Sequence, residues 1–307
     1  MDERKNDLKE ELEALKKKAE NAFGRRAIPS IGEDLFKPVT QGDIGRVVGK
    51  YGDASGRVVD EPDVPAASGS LEMLVSGSVE QSGSGPFYRV LAEAGEIWDN
   101  AGKVHEEYLA TITGDLQDIR PELSGLMPVT QARPEDICYL DIETTGLSNC
   151  PLFLVGLMYT SGDRLMIDQL FARDYTEERN ILVFLESLFL RFKMLVTFNG
   201  IGFDIPFIAA RMSSGKIPFS PPPVHVDLLK VARKGVGKRT PNHKLQTLEV
   251  HLLGRKRKGD IPGSRIPGAY HDFVRNGDAG HMATVIHHNR LDLYSMLELV
   301  TLFLSGR

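Results

Sequence analysis

Apolar and polar positions change period along the C-terminal part of the chain. Five short apolar runs bounded by polar turns predict strands, at residues 137–143, 152–160, 164–171, 194–198 and 224–226. Five segments have helical spacing or start signals, at about 176–192, from Asp204 onward, and at 227–233, 245–253 and 281–304. Three strands followed by alternating helices and strands predict an α/β domain at 135–307 with a mixed five-stranded central sheet.

The first 134 residues show weaker patterns. Residues 4–23 place Leu and Ala on one stripe and predict an amphipathic helix within segment 1–24. Residues 25–134 are expected to form a linker-rich extension, since 25–85 are rich in Gly, Ser, Pro and Asp. Apolar runs at 87–91 and 108–112 predict two short strands or a hairpin within it.

Two acids close the first strand of the C-terminal domain. Asp141 and Glu143 follow the apolar run 137–140, and they point to one face because strand side chains alternate. Like charges in a partly desolvated place repel each other unless a cation or a proton compensates them. Carboxylate oxygens suit hard ions such as Mg²⁺ or Mn²⁺. The structural alternative is a strand that runs into a polar turn at Gly146.

Three further acids occupy element boundaries or apolar surroundings. Asp204 follows the fourth predicted strand at a helix start, a place where Asp often serves as an N-cap. Asp292 lies among apolar positions of the last predicted helix, which favours an inward orientation that a metal would explain better than water. Asp227 follows the fifth predicted strand, where we expect a helix cap rather than a fifth acid of the site.

Charge is distributed unevenly along the 307 residues. The first 134 residues carry 16 Lys and Arg against 24 Asp and Glu, whereas the remaining residues carry 21 against 18. The basic excess concentrates between Lys230 and Lys258, at Lys230, Arg233, Lys234, Lys238, Arg239, Lys244, Arg255, Lys256, Arg257 and Lys258. Such a cluster predicts attraction of a polyanion that weakens as the salt concentration rises.

Composition also bounds the expected location. Two cysteines, Cys138 and Cys150, are too few for a disulfide framework and fit a reducing compartment. No stretch approaches the roughly 20 apolar residues of a membrane span, and residues 1–5 do not have the pattern of a signal peptide. We therefore expect a cytoplasmic protein without a membrane partner.

Three acidic segments occur together in a familiar order. They are Asp-Ile-Glu-Thr-Thr-Gly at 141–146, Asn-Gly-Ile-Gly-Phe-Asp at 199–204 and His-Asn-Arg-Leu-Asp at 288–292. In this the chain resembles the DnaQ-like, or DEDD, 3′→5′ exonuclease superfamily, which has a three-layer ribonuclease-H-like fold. Residues 245–254, 261–264 and 276–278 look like the YprB-type bacterial branch. The resemblance covers about 135–307.

The resemblance implies a metal-dependent 3′→5′ exonuclease that hydrolyses phosphodiester bonds, on single-stranded nucleic acid ends. Its four acids fall on Asp141, Glu143, Asp204 and Asp292, which would hold two Mg²⁺ or Mn²⁺ ions. By analogy, Asp141, Glu143 and Asp292 hold the ion that activates water. Asp141 bridges to the second ion, which Asp204 holds partly through water.

Two histidines compete for the role of general base. In one branch of the superfamily the base precedes the last acid by five residues, which is His287, and in another by four, which is the place of His288. On a helix, a four-residue step lies about 40° from the direction of Asp292 and a five-residue step about 140°. This favours His288 and leaves His287 open. A zinc site at His281, His287 and His288 lacks a suitably spaced cysteine.

Substrate contacts are expected near the acids. Leu147 and Phe203 are candidates to stack on terminal bases, Thr144 and Asn199 to bond sugar or phosphate, and Arg265 to attract the backbone. Two other functions remain open on the same residues: a nucleic-acid-binding module that has lost catalysis, and a structure-selective endonuclease. The choice between DNA and RNA depends on contacts to the 2′-hydroxyl, which the sequence does not reveal.

Overall fold

The computed structural model describes residues 59–60, 68–114, 119–257, 259 and 261–306. The helix predicted at 4–23, and with it the whole of segment 1–24, lies outside the described residues. Of the extension before Ser68, Val59–Asp60 is described, and it pairs in parallel with Arg255–Lys256.

Seven strands of the described residues form one sheet. They are β1 (Ser78–Ser82), β2 (Gly85–Glu93), β3 (Ile137–Thr144), β4 (Leu152–Ser161), β5 (Arg164–Phe171), β6 (Met194–Thr197) and β7 (Val224–Asp227). Their order is β1-β2-β5-β4-β3-β6-β7. Strands β3, β6 and β7 run parallel to one another, and the other neighbours are antiparallel. The α/β class with a mixed sheet is confirmed, but the expected count of five strands was too low.

The two additional strands come from the extension. Strand β2 pairs with β5, so it continues the sheet beyond the three strands predicted first in the domain. Phe87, Tyr88 and Val90 of β2 are buried, and Arg89 holds Asp168 of β5 with two bonds of 2.8 and 2.7 Å. The strand predicted at 87–91 is therefore confirmed, and it is tied to the domain by packing and by charge.

The strand predicted at 108–112 was wrong, because these residues belong to the helix Ala101–Thr113. Its buried residues are Ala101, His105, Tyr108 and Ile112. Spacings of four, three and four residues place these side chains on one face of a helix. The apolar run 108–112 is too short to show the helical period, which begins seven residues earlier at Ala101.

Helices of the described residues cover both faces of the sheet. They are α1 (Leu71–Leu74), α2 (Ala101–Thr113), α3 (Met127–Gln131), α4 (Glu178–Phe189), α5 (Asp204–Ser214), α6 (Leu228–Gly235), α7 (Leu245–Leu248), α8 (Ile266–Asn276) and α9 (Gly280–Ser305). The helix predicted at 245–253 changes at Glu249 into a π-helical turn, Glu249–Leu253. Helix α8 was not predicted, since Pro267 and Gly268 in its first turn are typical of loops.

The core consists of two clusters of buried side chains, and helices on both sides give a three-layer arrangement. One cluster joins Leu140 and Leu170 of the sheet to α4, α5 and α8. The other joins Tyr139 and Ile167 to α2, α6 and most of α9. Helix α9 contributes its residues 282–286 to the first cluster and its residues after 292 to the second. Residues 287–292 therefore lie where α9 passes from one cluster to the other.

No helix within the described ranges has both the length and the apolar character that crossing a membrane requires.

Candidate functional site

The four predicted acids come from three elements that meet beside β3, a strand in the interior of the sheet. Asp141 and Glu143 lie on β3, Asp204 is the first residue of α5, and Asp292 lies on α9. Burial raises the pKa of Asp141 well above its usual range, and the negative charges of Asp292, Asp204 and Glu143 raise it further. The structure therefore brings the four carboxylates into one electrostatic field.

Asp204 is the most enclosed of these acids, with 5% of its surface exposed. Burial raises its pKa to about 7, and the charges of Asp227 and Asp292 act in the same direction. The backbone N–H groups of Asp204 itself and of Ile142 oppose this rise, because they bond the charged form. Since Ile142 lies between Asp141 and Glu143 on β3, this contact ties the start of α5 to the first pair of acids.

Asn289 orients Asp141. Its Nδ2 donates to Asp141 Oδ2 at 2.8 Å, and its Oδ1 accepts from Gln169 Nε2 at 2.7 Å. The amide fits because Gly156 lies opposite Asp141 in the sheet: a Cβ at Gly156 would lie 2.0 Å from Asn289 Oδ1. Gly156 of β4 thus leaves room for the Asn289 side chain, and Gln169 of β5 holds it in place with a hydrogen bond.

Arg257 contacts Asp292. Its Nη2 lies 2.5 Å from Asp292 Oδ1 and 2.5 Å from Glu249 Oε1, and its Nε donates to Glu249 Oε2 at 2.8 Å. Burial acts to lower the pKa of Arg257, but Asp292 and Glu249 outweigh that effect and raise it, so the guanidinium stays charged. The last acid of the predicted set is therefore held by an internal cation.

This contact corrects part of the expected basic surface. Arg255 and Arg257 point inward, where Arg255 bonds Ser295 and Glu298 and Arg257 bonds Glu249 and Asp292. They cannot attract a polyanion as the sequence predicted, because their charges are already compensated inside the protein. Members of the cluster that remain exposed at the surface are Arg233, Lys234, Lys238, Arg239 and Lys256.

Asp227 caps α6, as predicted, by accepting a bond from the backbone N–H of Leu229 at 3.0 Å. It also accepts bonds from the backbone N–H groups of Asn199 at 3.0 Å and Ile201 at 3.2 Å. Asn199 has a left-handed backbone with φ of 67°. One buried carboxylate therefore fixes both the start of α6 and the turn that precedes Asp204.

Both candidate bases lie inside α9, which begins at Gly280, so the helical geometry used to compare them applies. His288, four residues before Asp292, is buried with 7% of its surface exposed. The Nε2 of His287 is buried and has no hydrogen-bond partner within the described part of the chain. Burial lowers the pKa of His287 to about 4, and His288, Arg290 and Arg257 contribute in the same direction. His287 is therefore neutral at pH 7.

The predicted substrate-binding residues differ in their surroundings. Thr144 donates its hydroxyl to the carbonyl of Gly146 at 2.6 Å, and Leu147 is half-buried in the turn that follows. Phe203 is half-buried and packs against Phe207, with ring centroids 5.5 Å apart. Arg265 is exposed in the turn Gly263–Arg265, and among the described contacts none joins it to the four acids.

The site contains side chains that suit a metal ion, but they are not arranged as a complete set of ligands. Within the described ranges, no three His, Cys, Asp or Glu side chains are grouped closely enough to hold a metal ion. Asp141 is turned toward Asn289 and Asp292 toward Arg257. Burial and the negative charges of the other three acids nevertheless raise the pKa of Asp141, so negative charge is concentrated here, and carboxylate oxygens are the donors that Mg²⁺ and Mn²⁺ prefer. The donor chemistry therefore fits such ions.

Several residues orient the acids in a way that the sequence did not predict: Asn289, Gln169, Gly156, Glu249 and Arg257. Signals for some of them existed. Gln169 interrupts an apolar strand, and Asn289 lies inside the third acidic segment. Glu249 and Arg257 gave no such signal, because Arg257 reaches Asp292 across 35 residues of chain and Glu249 reaches Ser295 across 46.

Known proteins are similar to the C-terminal part of the chain. A family model described as the RNase_H superfamily matches residues 138–304. The uncharacterized protein YprB of Bacillus subtilis (strain 168) is 30% identical over 185 residues, which are 57% of this chain and 44% of YprB, so the match spans less than half of that relative. These findings confirm the resemblance that the three acidic segments indicated.

Among solved structures, the family B DNA polymerase from the hyperthermophilic archaeon Pyrobaculum calidifontis is similar at 18% identity. The TM-score is 0.42, and the match covers 54% of this chain and 24% of the polymerase. A likeness at this level carries no argument about activity.

Proposed function

The chain belongs to the RNase H superfamily, and on that premise we propose that it is a metal-dependent nuclease that removes nucleotides from the 3′ end of nucleic acid. The observation that carries the proposal is the proximity of Asp141, Glu143, Asp204 and Asp292: beside burial, the charges of the other three acids raise the pKa of Asp141. Acids from a strand and two helices come together despite their repulsion, which supports a cation-binding role over a purely structural one.

The four carboxylates would hold two Mg²⁺ or Mn²⁺ ions. Such ions, when bound, lower the pKa of an attacking water and neutralise charge on the phosphate and the leaving 3′ oxygen. The protein supplies the orientation: Asn289 fixes Asp141, and the backbone N–H of Ile142 holds Asp204. Side chains bonded in this way keep their direction when a substrate arrives.

We assign the general base to His288. It lies one helical turn before Asp292 within α9, so the two side chains share a face of the helix. In this role its imidazole would accept the proton of the attacking water and pass it to solvent. His287 is the alternative, and it is favoured less because a side chain five residues before Asp292 points about 140° away from it on the helix.

The substrate class is nucleic acid, bound by its terminal nucleotides. Thr144 and Asn199 would bond sugar or phosphate, and Leu147 and Phe203 would contact the bases, as apolar groups do in single-strand channels. Arg265 and the exposed basic residues near α6 would attract the phosphate backbone. Asp227 supports this role indirectly, since it fixes the turn that contains Asn199.

A cytoplasmic location also remains a proposal. Neither cysteine forms a disulfide within the described part of the chain, and Cys138 is buried while Cys150 is half-buried. Cysteines outside disulfides are typical of reducing compartments.

The test compares the full chain with Asp141→Asn on 5′-labelled single-stranded DNA, duplex DNA and RNA, each with Mg²⁺, Mn²⁺ or EDTA. We expect the wild type to give a ladder of single-nucleotide steps with metal and none with EDTA. Asp141→Asn should lose the ladder while its urea midpoint stays equal or rises, because the change removes a repelling charge. Asp174→Asn, at an exposed cap, is the matched control and should keep full activity.

Three results would contradict the proposal in different ways. Discrete fragments instead of a ladder would identify a structure-selective endonuclease. Binding of the oligonucleotides without turnover under any metal would identify a nucleic-acid-binding module. A ladder that persists in Asp141→Asn would exclude the assigned metal ligands.

A further inference from the structure

Polar residues recur at every third position in the buried part of α9. They are Asn289, Asp292, Ser295 and Glu298, and they stand between buried apolar residues, namely Leu291, Leu293, Tyr294, Met296, Leu297 and Leu299. Asn289 and Ser295 are completely buried. Polar groups in such a place are costly unless each has a partner.

Each member of this polar stripe has a partner outside the helix. Asn289 bonds Asp141, and Asp292 is paired with Arg257. Ser295 donates to Glu249 and accepts from Arg255 Nη1 at 2.8 Å, and Arg255 also pairs with Glu298. The partners of the last three positions come from the segment Glu249–Arg257, which follows α7.

Four of these residues form a closed ring. Asp292 contacts Arg257, Arg257 contacts Glu249, Glu249 accepts from Ser295, and Ser295 lies three residues after Asp292 on α9. The side chains of Arg257 and Glu249 are 5% and 1% exposed, whereas that of Asp292 is 25% exposed. Arg257 and Glu249 therefore hold the ring inside the protein, and Asp292 is the member of the ring that faces the site.

We propose that Arg257, anchored by the buried carboxylate of Glu249, is a positioning residue that fixes the direction of the Asp292 side chain. This inference rests on the proposed function, in which Asp292 is a metal ligand. Arg257 neither replaces a ligand nor touches the reacting atoms. It acts through Asp292, as Asn289 acts through Asp141 on the other side of the site.

The planar fork of arginine is what the position requires. Nη2 of Arg257 is shared by two carboxylates while Nε holds the second oxygen of Glu249, a geometry that a lysine ammonium cannot reproduce. Arg257→Lys keeps the positive charge but loses the forked geometry, so it tests whether Asp292 needs the orientation that the guanidinium provides or only its charge. Partners that orient metal ligands typically change metal affinity by about 10- to 100-fold when they are mutated.

The first measurement is Mn²⁺ affinity of the full chain by titration calorimetry. We expect Arg257→Lys to bind Mn²⁺ about 10- to 100-fold more weakly than the wild type. Glu249→Gln should weaken binding in the same direction, because it loosens the anchor of Arg257. The matched control is Arg89→Lys, which breaks another two-bond pair, with Asp168, on the opposite face of the sheet and should leave the affinity unchanged.

The second measurement needs no metal. In EDTA, we compare the shifts of the urea midpoint from the wild-type value for Arg257→Lys, Asp292→Asn and the double variant. The shift of the double variant should be smaller than the sum of the two single shifts, because each single change already breaks the same contact. A double variant whose midpoint shift equals the sum of the two single shifts would overturn the inference, even if the wild type proves to bind no metal.

The outcomes separate the two proposals. If Arg257→Lys binds Mn²⁺ as tightly as the wild type or more tightly, while Asp141→Asn loses binding, the positioning role is wrong and the nuclease proposal stands. If the wild type shows neither Mn²⁺ binding nor cleavage, the nuclease proposal fails.

Discussion

At the residue scale, the missing side chain of Gly156 leaves the space in which Asn289 can bond Asp141. Asn289 reaches Asp141 across a strand only because β4 has no Cβ at the position opposite Asp141. Glycine inside a strand weakens it, so its presence there points to a close approach by another group. Here that group is the amide that holds a candidate metal ligand.

Gly156→Ala should therefore reduce both stability and activity. The added methyl would displace Asn289, and we expect a loss of about 1–3 kcal/mol in the free energy of unfolding, typical of overpacking. Urea unfolding and the oligonucleotide assay measure the two effects. Gly268→Ala is the control, since a Cβ there meets nothing within 4 Å inside α8. It should stabilise the protein by up to about 1 kcal/mol, and an unchanged Gly156→Ala would contradict the proposed contact.

Asp204 makes the metal-free protein sensitive to pH. Its pKa is about 7 when folded and about 3.9 when unfolded. Between these values the folded state binds more protons, so the contribution of this group is present below about pH 4 and is lost as pH rises through 7. Relative to Asp204→Asn, the wild type should lose stability from pH 5 to pH 8, by no more than about 4 kcal/mol.

The measurement is urea unfolding of both proteins in EDTA at several pH values. His225 and His287, whose pKa values burial lowers to about 4, act in the opposite direction. They are present in both proteins, so the difference between the two curves removes their contribution and reports Asp204 together with its charge coupling to Asp141. A difference that is constant across this range would show that Asp204 is ionised throughout.

At the scale of elements, Asp227 connects a helix start to the turn before Asp204. Its carboxylate accepts backbone bonds from Leu229, Asn199 and Ile201, so it couples α6 to the loop after β6. A sequence pattern predicts the cap because the cap is local. The contact with the loop joins residues 28 positions apart and depends on the parallel pairing of β6 with β7.

Asp227→Ala should consequently cost more than an ordinary cap. We expect a loss of about 1–3 kcal/mol in the free energy of unfolding, because one buried and two partly buried N–H groups lose an acceptor, together with loss of nuclease activity. Asp174→Ala, which removes the exposed cap bond to Thr176, is the comparison and should cost about 1 kcal/mol or less with activity retained. Equal effects of the two changes on activity would argue against a role for the Asn199 turn.

The whole molecule extends beyond the part that the acidic motifs delimit. The expected division at residue 134 stays a prediction, yet β2 and α2 fill the core on opposite faces of the domain's sheet. Asp168 is completely buried, and its charge partner Arg89 belongs to β2. A buried acid without its partner is strongly destabilising.

Residues 135–307 alone should therefore fold poorly. Loss of Arg89 alone is expected to cost about 3–5 kcal/mol, and loss of Phe87, Tyr88 and Tyr108 removes further core. Urea unfolding with near-ultraviolet circular dichroism would show a broad or absent transition, against a cooperative one for the full chain. A fragment with the midpoint of the full chain would establish the division at 134.

The sequence by itself determined the α/β class and the strand that contains Asp141 and Glu143, and it predicted the set of four acids, because each of these depends on a local period or a short motif. It did not determine that β1 and β2 join the sheet or that 101–113 is a helix, since those outcomes depend on which faces are buried. Nor did it determine that Asn289 and Arg257 orient Asp141 and Asp292. Such contacts form only when distant segments fold together and desolvated charges must find partners.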